Sequence, residues 1–394
     1  FPGQSSFKGP IFHTARYPKE GMDYTGKRVG VIGTGATGIQ VIQTIAPQVD
    51  QLKVFVRTPQ YVLPMTNPKL GPKEANAYKE RFDAVAGTAP HTFCGFDYDF
   101  SHTWADLSPE ERTAALEDAY QHGSLKLWLG VFAEMFFDED VNAEVSSFVR
   151  AKMEARLKDR ELIDVLVPQE GDYGFGTHRV PLESNYLEAY LRDNVEAVGV
   201  RNNPITEIVP EGVKLADGTV HEVDAIVMAV GFDAGSGALS RIDITGRDGM
   251  KLGEEWSKEI RTTLGMQKYG FPNMFMTGAP LAPSAALCNM TTCLQQQTEW
   301  ITQCIAELVK SGHDAIEPTL DGEDTWVRHH DEVANATLLS KTDSWYNGGN
   351  IEGKPKRLLS YAGGVGTYRQ KCAEVVQEGY SLFRMSKLGE SALA

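Results

Sequence analysis

Val29-Gly30-Val31-Ile32-Gly33-Thr34-Gly35-Ala36-Thr37-Gly38-Ile39-Gln40-Val41-Ile42 joins a short apolar, β-prone run to an apolar helical stretch through a glycine-rich corner. The helical pattern continues to Ala46 and is closed by Pro47, and Leu52-Lys53-Val54-Phe55-Val56 reads as a second strand ending at Arg57-Thr58-Pro59. A Gly-x-Gly-x-x-Gly alone says little. Set between a strand and a helix, with another strand at the right distance, it predicts a dinucleotide-binding βαβ unit. Gly33 permits the tight turn, Gly35 lets the backbone approach a pyrophosphate, and Gly38 lets the helix pack close to the strand. The helix N-terminus supplies amide donors and a positive dipole end for phosphates. Thr34, Ala36 and Thr37 in the corner and Gln40 on the following helix complete this candidate cofactor-binding set.

The end of the second strand indicates which dinucleotide is bound. A protein that takes NAD places a carboxylate there to accept from the ribose 2′-hydroxyl. This sequence has Arg57-Thr58 instead, and a guanidinium pairs with a 2′-phosphate. The expected cofactor is therefore NADPH.

Composition bounds the rest. The 394 residues are 42% hydrophobic and 23% charged, an ordinary globular balance with room for two or three compact units. The net charge of −15 comes with no basic run, which argues against nucleic acid or an anionic membrane surface as partner. The longest apolar stretch, residues 125–137, is broken by Lys126 and Glu134, too short for a spanning helix. Cys94, Cys288, Cys293, Cys304 and Cys372 are too scattered for a disulfide framework, and Cys288 with Cys293 makes only half a zinc site, so no metal is expected. A reducing, cytoplasmic compartment is the default.

Texture changes along the chain. Residues 67–172 read as a helical insert, with Ser108-Pro109-Glu110-Glu111 forming a capping box and a periodic segment over 142–158. Strands return at 195–200, 205–209 and 213–215, followed by a hairpin turn at Ala216-Asp217-Gly218-Thr219. A buried strand at 224–231, an amphipathic helix over 287–308, a glycine-rich segment at 345–353 and a helix near 368–378 complete the chain.

Just ahead of the corner, Phe7-Lys8-Gly9-Pro10-Ile11-Phe12-His13-Thr14-Ala15-Arg16-Tyr17-Pro18 resembles the fingerprint of the Baeyer–Villiger monooxygenases, Phe-x-Gly-x-x-x-His-Thr-x-x-Trp followed by Pro or Asp. Phe7, Gly9, His13 and Thr14 match, and Tyr17 stands where the family has Trp. The resemblance implies that His13 ties the interdomain linker together while the nucleotide and flavin domains move. Gly174-Phe175-Gly176-Thr177-His178-Arg179 is similar to the loop that presents the family's catalytic arginine, which falls on Arg179. His178 takes the place of a frequent Lys that helps hold the 2′-phosphate, making that role weaker and pH-dependent. Ala229-Val230-Gly231-Phe232-Asp233 resembles the family's Ala-Thr-Gly-Phe-Asp strand end. Ser284, Ala285, Ala286 and Leu287 resemble the lining of the ketone pocket, Asn289 and Met290 the helix start beside the flavin, and Trp345 the mobile loop that closes over the nicotinamide. Without the resemblance, Arg179 reads as a solvated cation, residues 284–286 as a tight turn and Trp345 as a core aromatic.

The resemblance implies an α/β flavoprotein with two dinucleotide-binding domains, a Rossmann-like NADP domain plus part of an FAD domain, carrying a helical insert. Its divisions are a linker with the fingerprint at 1–25, the NADP domain at 26–66 and 173–224, the insert at 67–172, and the C-terminal part of the FAD domain at 225–394. The family has an earlier glycine turn for FAD, and this sequence holds only the later one. An N-terminal flavin-binding segment before Phe1 is thus expected, and the strand after Asp224 is expected to lack parallel neighbours without it. The implied reaction uses NADPH to reduce FAD. O2 then gives a C4a-peroxyflavin that inserts one oxygen beside a ketone carbonyl, yielding an ester or lactone, with Arg179 steadying the negative oxygen. Small side chains at 284–286 suggest room for cyclic or bulky ketones. An N- or S-oxidising flavin monooxygenase and a non-catalytic NADP-binding fragment are the alternatives.

Overall fold

Strands that are apolar on both faces need cover on both faces, and the interior strands around the glycine corner are of this kind. In the computed structural model, which describes residues 1–387, they lie within one all-parallel sheet. Its spatial order is Ile11–His13, Ala225–Met228, Arg28–Ile32, Gln51–Val56, Val195–Gly199. Val29, Val31, Leu52, Val54, Ala225 and Ile226 are fully buried in it. The helix Ala36–Ile45 makes the crossover between the Arg28–Ile32 and Gln51–Val56 strands and buries Ile39, Ile42 and Ile45. A three-stranded antiparallel sheet, Ile205–Val209, Gly212–Leu215 and Val220–Glu222, contributes Ile208, Val213 and Leu215 to a core shared with Ile32, Phe55 and Met228.

The strand at 225–228 corrects the sequence reading. Expected to stand without parallel neighbours, it is the second strand of this sheet: Ile226 pairs with Ile11 on one side and with Gly30 on the other. The physical reason is that the fingerprint segment itself forms the edge strand Ile11–His13, which supplies the missing neighbour. An apolar strand carries no mark of which sheet it will join, so its position late in the chain was misleading.

The chain folds as two compact units. The first comprises Phe1–Pro68, Trp104–Trp128 and Glu139–Phe232. The second comprises Lys69–Thr103, Leu129–Asp138 and the chain from Asp233 onward. The helical insert is therefore shared: Pro109–His122, Glu139–Leu157 and Arg160–Leu166 belong to the first unit, and Pro72–Thr88 to the second. Ser108 accepts from the Glu111 amide and Glu111 accepts from the Ser108 amide, as the capping box predicts.

The second unit packs the helices Met290–Lys310, Leu320–Asn335 and Val365–Gln377 with a two-stranded antiparallel ladder, Ala315–Pro318 with Phe383–Ser386. Trp300, Trp326, Tyr361 and Tyr368 share its core. The amphipathic helix begins three residues later than its pattern suggests, because Asn289 is its cap and residues 284–288 form a turn. The Leu320–Asn335 helix went unread, since His330 occupies a buried position on a face otherwise marked by few apolar residues.

Candidate functional site

The corner in the first unit shows why each glycine is where it is. Gly33 has φ +102°, and a Cβ there would stand 2.5 Å from the carbonyl oxygen of Ala229. A Cβ on Gly38 would run into the Gly33 carbonyl. A Cβ on Gly35 meets nothing within 4 Å. Two glycines are thus required by neighbouring backbone, whereas Gly35 opens onto empty space in front of the helix. The first intrahelical bond runs from the Ile39 amide to the Gly35 carbonyl at 3.0 Å, so the amides of Ala36, Thr37 and Gly38 precede it at the open end. Such a cradle fits a pyrophosphate. Buried Thr34 donates its hydroxyl to the Thr58 carbonyl at 3.1 Å, which ties the corner to the end of the second strand. Gln40 lies exposed on the helix.

Arg57 is exposed, and its side chain has no hydrogen-bond or ion-pair partner among the described residues. Its carbonyl accepts from Arg201 Nε at 3.4 Å, and Arg201 Nη1 pairs with Asp172 at 2.7 Å. The Tyr173 hydroxyl donates to the Pro59 carbonyl at 2.8 Å, and the His178 ring stacks on Tyr173 with centroids 4.0 Å apart. The structure therefore links Gly33–Gly38, Arg57, Thr58 and His178 at the C-terminal ends of two interior strands of the sheet. Arg179 follows, half-buried, with its guanidinium 5.5 Å from the centre of the Trp128 ring. Arg201, Asp172 and Tyr173 escaped the sequence reading. One signal existed: Arg57 and Arg201 each follow a strand, and those strands are ladder neighbours, with Val56 opposite Gly199.

The fingerprint residues are structural in this unit. His13 Nδ1 accepts from the Ala15 amide at 3.1 Å, capping the short turn that follows the edge strand, and its ring meets Phe232 edge-on at 5.8 Å. Phe7 packs on the shared core, and a Cβ on Gly9 would collide with the Asp224 carbonyl.

In the second unit, Asn289 Oδ1 accepts from the Thr291 amide at 3.2 Å, and the Asn289 amide donates to the Cys94 carbonyl at 2.8 Å. The amides of Leu287 and Cys288 both donate to the Ser284 carbonyl, which closes the turn. Within that turn Ala285 is exposed, Ser284 is half-buried, and Ala286 and Leu287 are buried. The Tyr346 hydroxyl donates to the Ala286 carbonyl at 3.0 Å, and the Trp345 ring packs edge-on against Tyr346 at 4.6 Å. Trp345 is thereby brought to the 284–287 turn by a neighbour that sequence did not single out. Met290 packs against Cys288, Cys293 and Val365. Further along the same helix, Gln296 Oε1 and Gln297 Nε2 are buried without a partner among the described residues. Orphaned groups of this kind are satisfied by a polar ligand such as a flavin edge.

A glycine corner with open amides in the first unit and two orphaned buried amide groups in the second are compatible with a nucleotide-dependent flavoprotein, and the model of the flavin-binding monooxygenase-like proteins matches residues 1–85. The acetone monooxygenase (methyl acetate-forming) of Gordonia sp. strain TY-5 is 64% identical over 98% of this chain and 72% of its own length. A Baeyer–Villiger monooxygenase of Pseudooceanicola batsensis is 35% identical over 97% of this chain and 69% of its own. The crystal structure of an OTEMO complex with FAD and NADP superposes with a TM-score of 0.91 at 35% identity, covering 98% of this chain and 72% of that one. This chain belongs to the Baeyer–Villiger monooxygenases, which use FAD, NADPH and O2 to insert an oxygen beside a ketone carbonyl. Among the described residues no helix is long and apolar enough to cross a membrane.

Proposed function

We propose that this chain seats NADPH on the Gly33–Gly38 corner, grips its 2′-phosphate with Arg57, Thr58 and His178, and uses Arg179 to oxidise small acyclic ketones to esters. The observation that carries the reading is the open Cβ position of Gly35 together with an unpartnered Arg57 guanidinium at the end of the neighbouring strand. Bound FAD and NADPH supply hydride transfer and oxygen activation. The residues of the chain bind, orient and stabilise charge.

Amides at the start of the Ala36–Ile45 helix hold the pyrophosphate, and Arg57 adds a charge-assisted contact that NADH cannot make. The Trp128 ring, with its centre 5.5 Å from the Arg179 guanidinium, shields that cation from bulk water on one side. Arg179 can then stabilise negative charge developing on the ketone oxygen. In the second unit, Asn289 and Met290 at the head of the Met290–Lys310 helix would contact bound flavin, and the 284–287 turn with Trp345 would contribute ketone contacts. The preference for an acyclic ketone rests on the 64%-identical acetone enzyme. The reading includes an additional flavin-binding segment, because the chain spans 72% of that relative's length. A cytoplasmic location is supported by five buried, unbridged cysteines.

The test is product analysis of the FAD-loaded enzyme with NADPH and O2. Acetone and butanone should give acetate esters faster than cyclohexanone gives its lactone, and Arg179→Ala should keep NADPH binding while losing ester. Ester yield unchanged in Arg179→Ala removes the role given to that residue.

A further inference from the structure

The loop that carries His178 and Arg179 is held by a closed ring of buried hydrogen bonds. Asn142 and Ser146 lie one turn apart on the Glu139–Leu157 helix, and each is only 3% exposed. Asn142 Nδ2 donates to the Phe175 carbonyl at 2.9 Å. Ser146 Oγ accepts from the Phe175 amide at 2.8 Å and donates to Asn142 Oδ1 at 3.1 Å. Both backbone groups of one loop residue are thus satisfied by two side chains that also satisfy each other. A buried ring of this kind is stiff, because opening one of its bonds leaves a buried polar group short of a partner.

The stiffness passes along the loop. Phe175 is fully buried and its ring meets Tyr61 edge-on at 5.7 Å. The Thr177 amide and hydroxyl both bond to the Gly174 carbonyl, at 3.2 and 2.8 Å, which closes a turn over residues 174–177. Gly174 has to be glycine because a Cβ would collide with Asn142 Oδ1. From the fixed Phe175, only this closed turn and His178, itself stacked on Tyr173, lead to Arg179.

The geometry points to Asn142 and Ser146 as positioning residues that set the place of Arg179, and so govern how much of the NADPH consumed ends in ester. This rests on the role given to Arg179 above. A cation aimed at a developing charge tolerates little displacement, and misplacement by about 1 Å costs up to about a hundredfold in rate. The Gly33–Gly38 corner and Arg57 do not depend on the ring, so the main cofactor contacts are kept, and only the share of 2′-phosphate binding given to His178 on the same loop is weakened.

Ser146→Ala, Ser146→Thr and Arg179→Ala are compared in the FAD-loaded enzyme. Ester formed per NADPH consumed, the KM for NADPH, and hydrogen exchange of the peptide containing Phe175 are read for each. Ser146→Ala is expected to lower ester-forming kcat by about tenfold or more. Its KM for NADPH should rise by a smaller factor than the ester yield falls, since Arg57 and the corner are untouched and only His178 shares the loosened loop, and its Phe175 exchange should quicken, while Ser146→Thr, which keeps the hydroxyl, recovers most of the ester yield. Faster exchange with an undiminished ester yield overturns the proposal while leaving Arg179 its role. Full ester yield in Arg179→Ala overturns both. Should Ser146→Ala not fold, the wild-type protein still decides: the Phe175 amide must rank among the slowly exchanging ones, and rapid exchange there refutes a closed ring.

Discussion

Lys354 Nζ lies 2.7 Å from Asp233 Oδ1 and 2.8 Å from the Ala234 carbonyl, with the lysine side chain only 7% exposed. The glycine-rich segment that bears Trp345 is therefore pinned at its far end to the first residues of the second unit. Removing one partner of a largely buried pair leaves a charge without compensation, a loss of about 2–4 kcal/mol. Lys354→Met should lower the unfolding midpoint and expose residues 345–355 to proteolysis. Asp233→Asn should do so less, because the Ala234 carbonyl still holds the lysine. Equal cleavage rates in wild type and Lys354→Met would show that the pin does not restrain the segment.

Arg57 offers the simplest measure of cofactor choice. A charge-assisted hydrogen bond to a phosphate contributes about 1.5–3 kcal/mol, or about one to two powers of ten in affinity. Arg57→Ala should raise the KM for NADPH by that factor and change the KM for NADH little. The same variant should bind 2′,5′-ADP less tightly by calorimetry, and equal effects on both cofactors would refute 2′-phosphate recognition.

Two glycine substitutions separate fold from ligand. Gly35→Ala places its methyl in open space, so its melting temperature should match wild type while NADPH binding falls sharply. Gly38→Ala drives a methyl into the Gly33 carbonyl and should lower both. If Gly35→Ala binds NADPH normally, the open side of the corner is not where the pyrophosphate lies.

His330 predicts a stability slope in mild acid. It is fully buried, its Nε2 donates to the Leu358 carbonyl at 2.7 Å, and its Nδ1 has no partner among the described residues. Burial pushes its pKa down to about 4. The unfolded chain takes up this proton near pH 6.5 and the folded one does not, so stability falls as pH drops from about 6.5 to about 4 and is unaffected by this group above that range. The loss amounts to about 3 kcal/mol. Urea unfolding of His330→Gln should show a shallower pH dependence over this window, and parallel slopes would contradict the assignment.

The nucleotide corner was legible because it is local: strand, glycines, helix and second strand occupy one short run, and Gly33 and Gly38 each have a steric reason in the neighbouring backbone. The Ser108–Glu111 box was legible for the same cause. What stayed hidden was non-local. Arg201 reaches the Arg57 carbonyl across 144 positions, and Asn142 reaches the Phe175 carbonyl across 33. Neither residue stands out by type, since polar side chains on an acidic helix or after a strand are usually solvated. Tyr346 was passed over beside the more conspicuous Trp345, yet it is Tyr346 that is buried and bonded to the 284–287 turn.

The placement of the Ala225–Met228 strand also bears on synthesis. Arg28 and Asp224 are hydrogen-bonded partners 196 positions apart, so a ribosome delivers the interior strand of this sheet long after the strands it must separate. At about 5–20 residues per second, the Arg28–Ile32 strand waits about 10–40 s with one edge bare. During that interval Gly33 turns against nothing, for the Ala229 carbonyl has not yet been made. A nascent chain stalled before that point should engage chaperones and fail to retain a nucleotide, and both properties should reverse once the late strand threads into its slot.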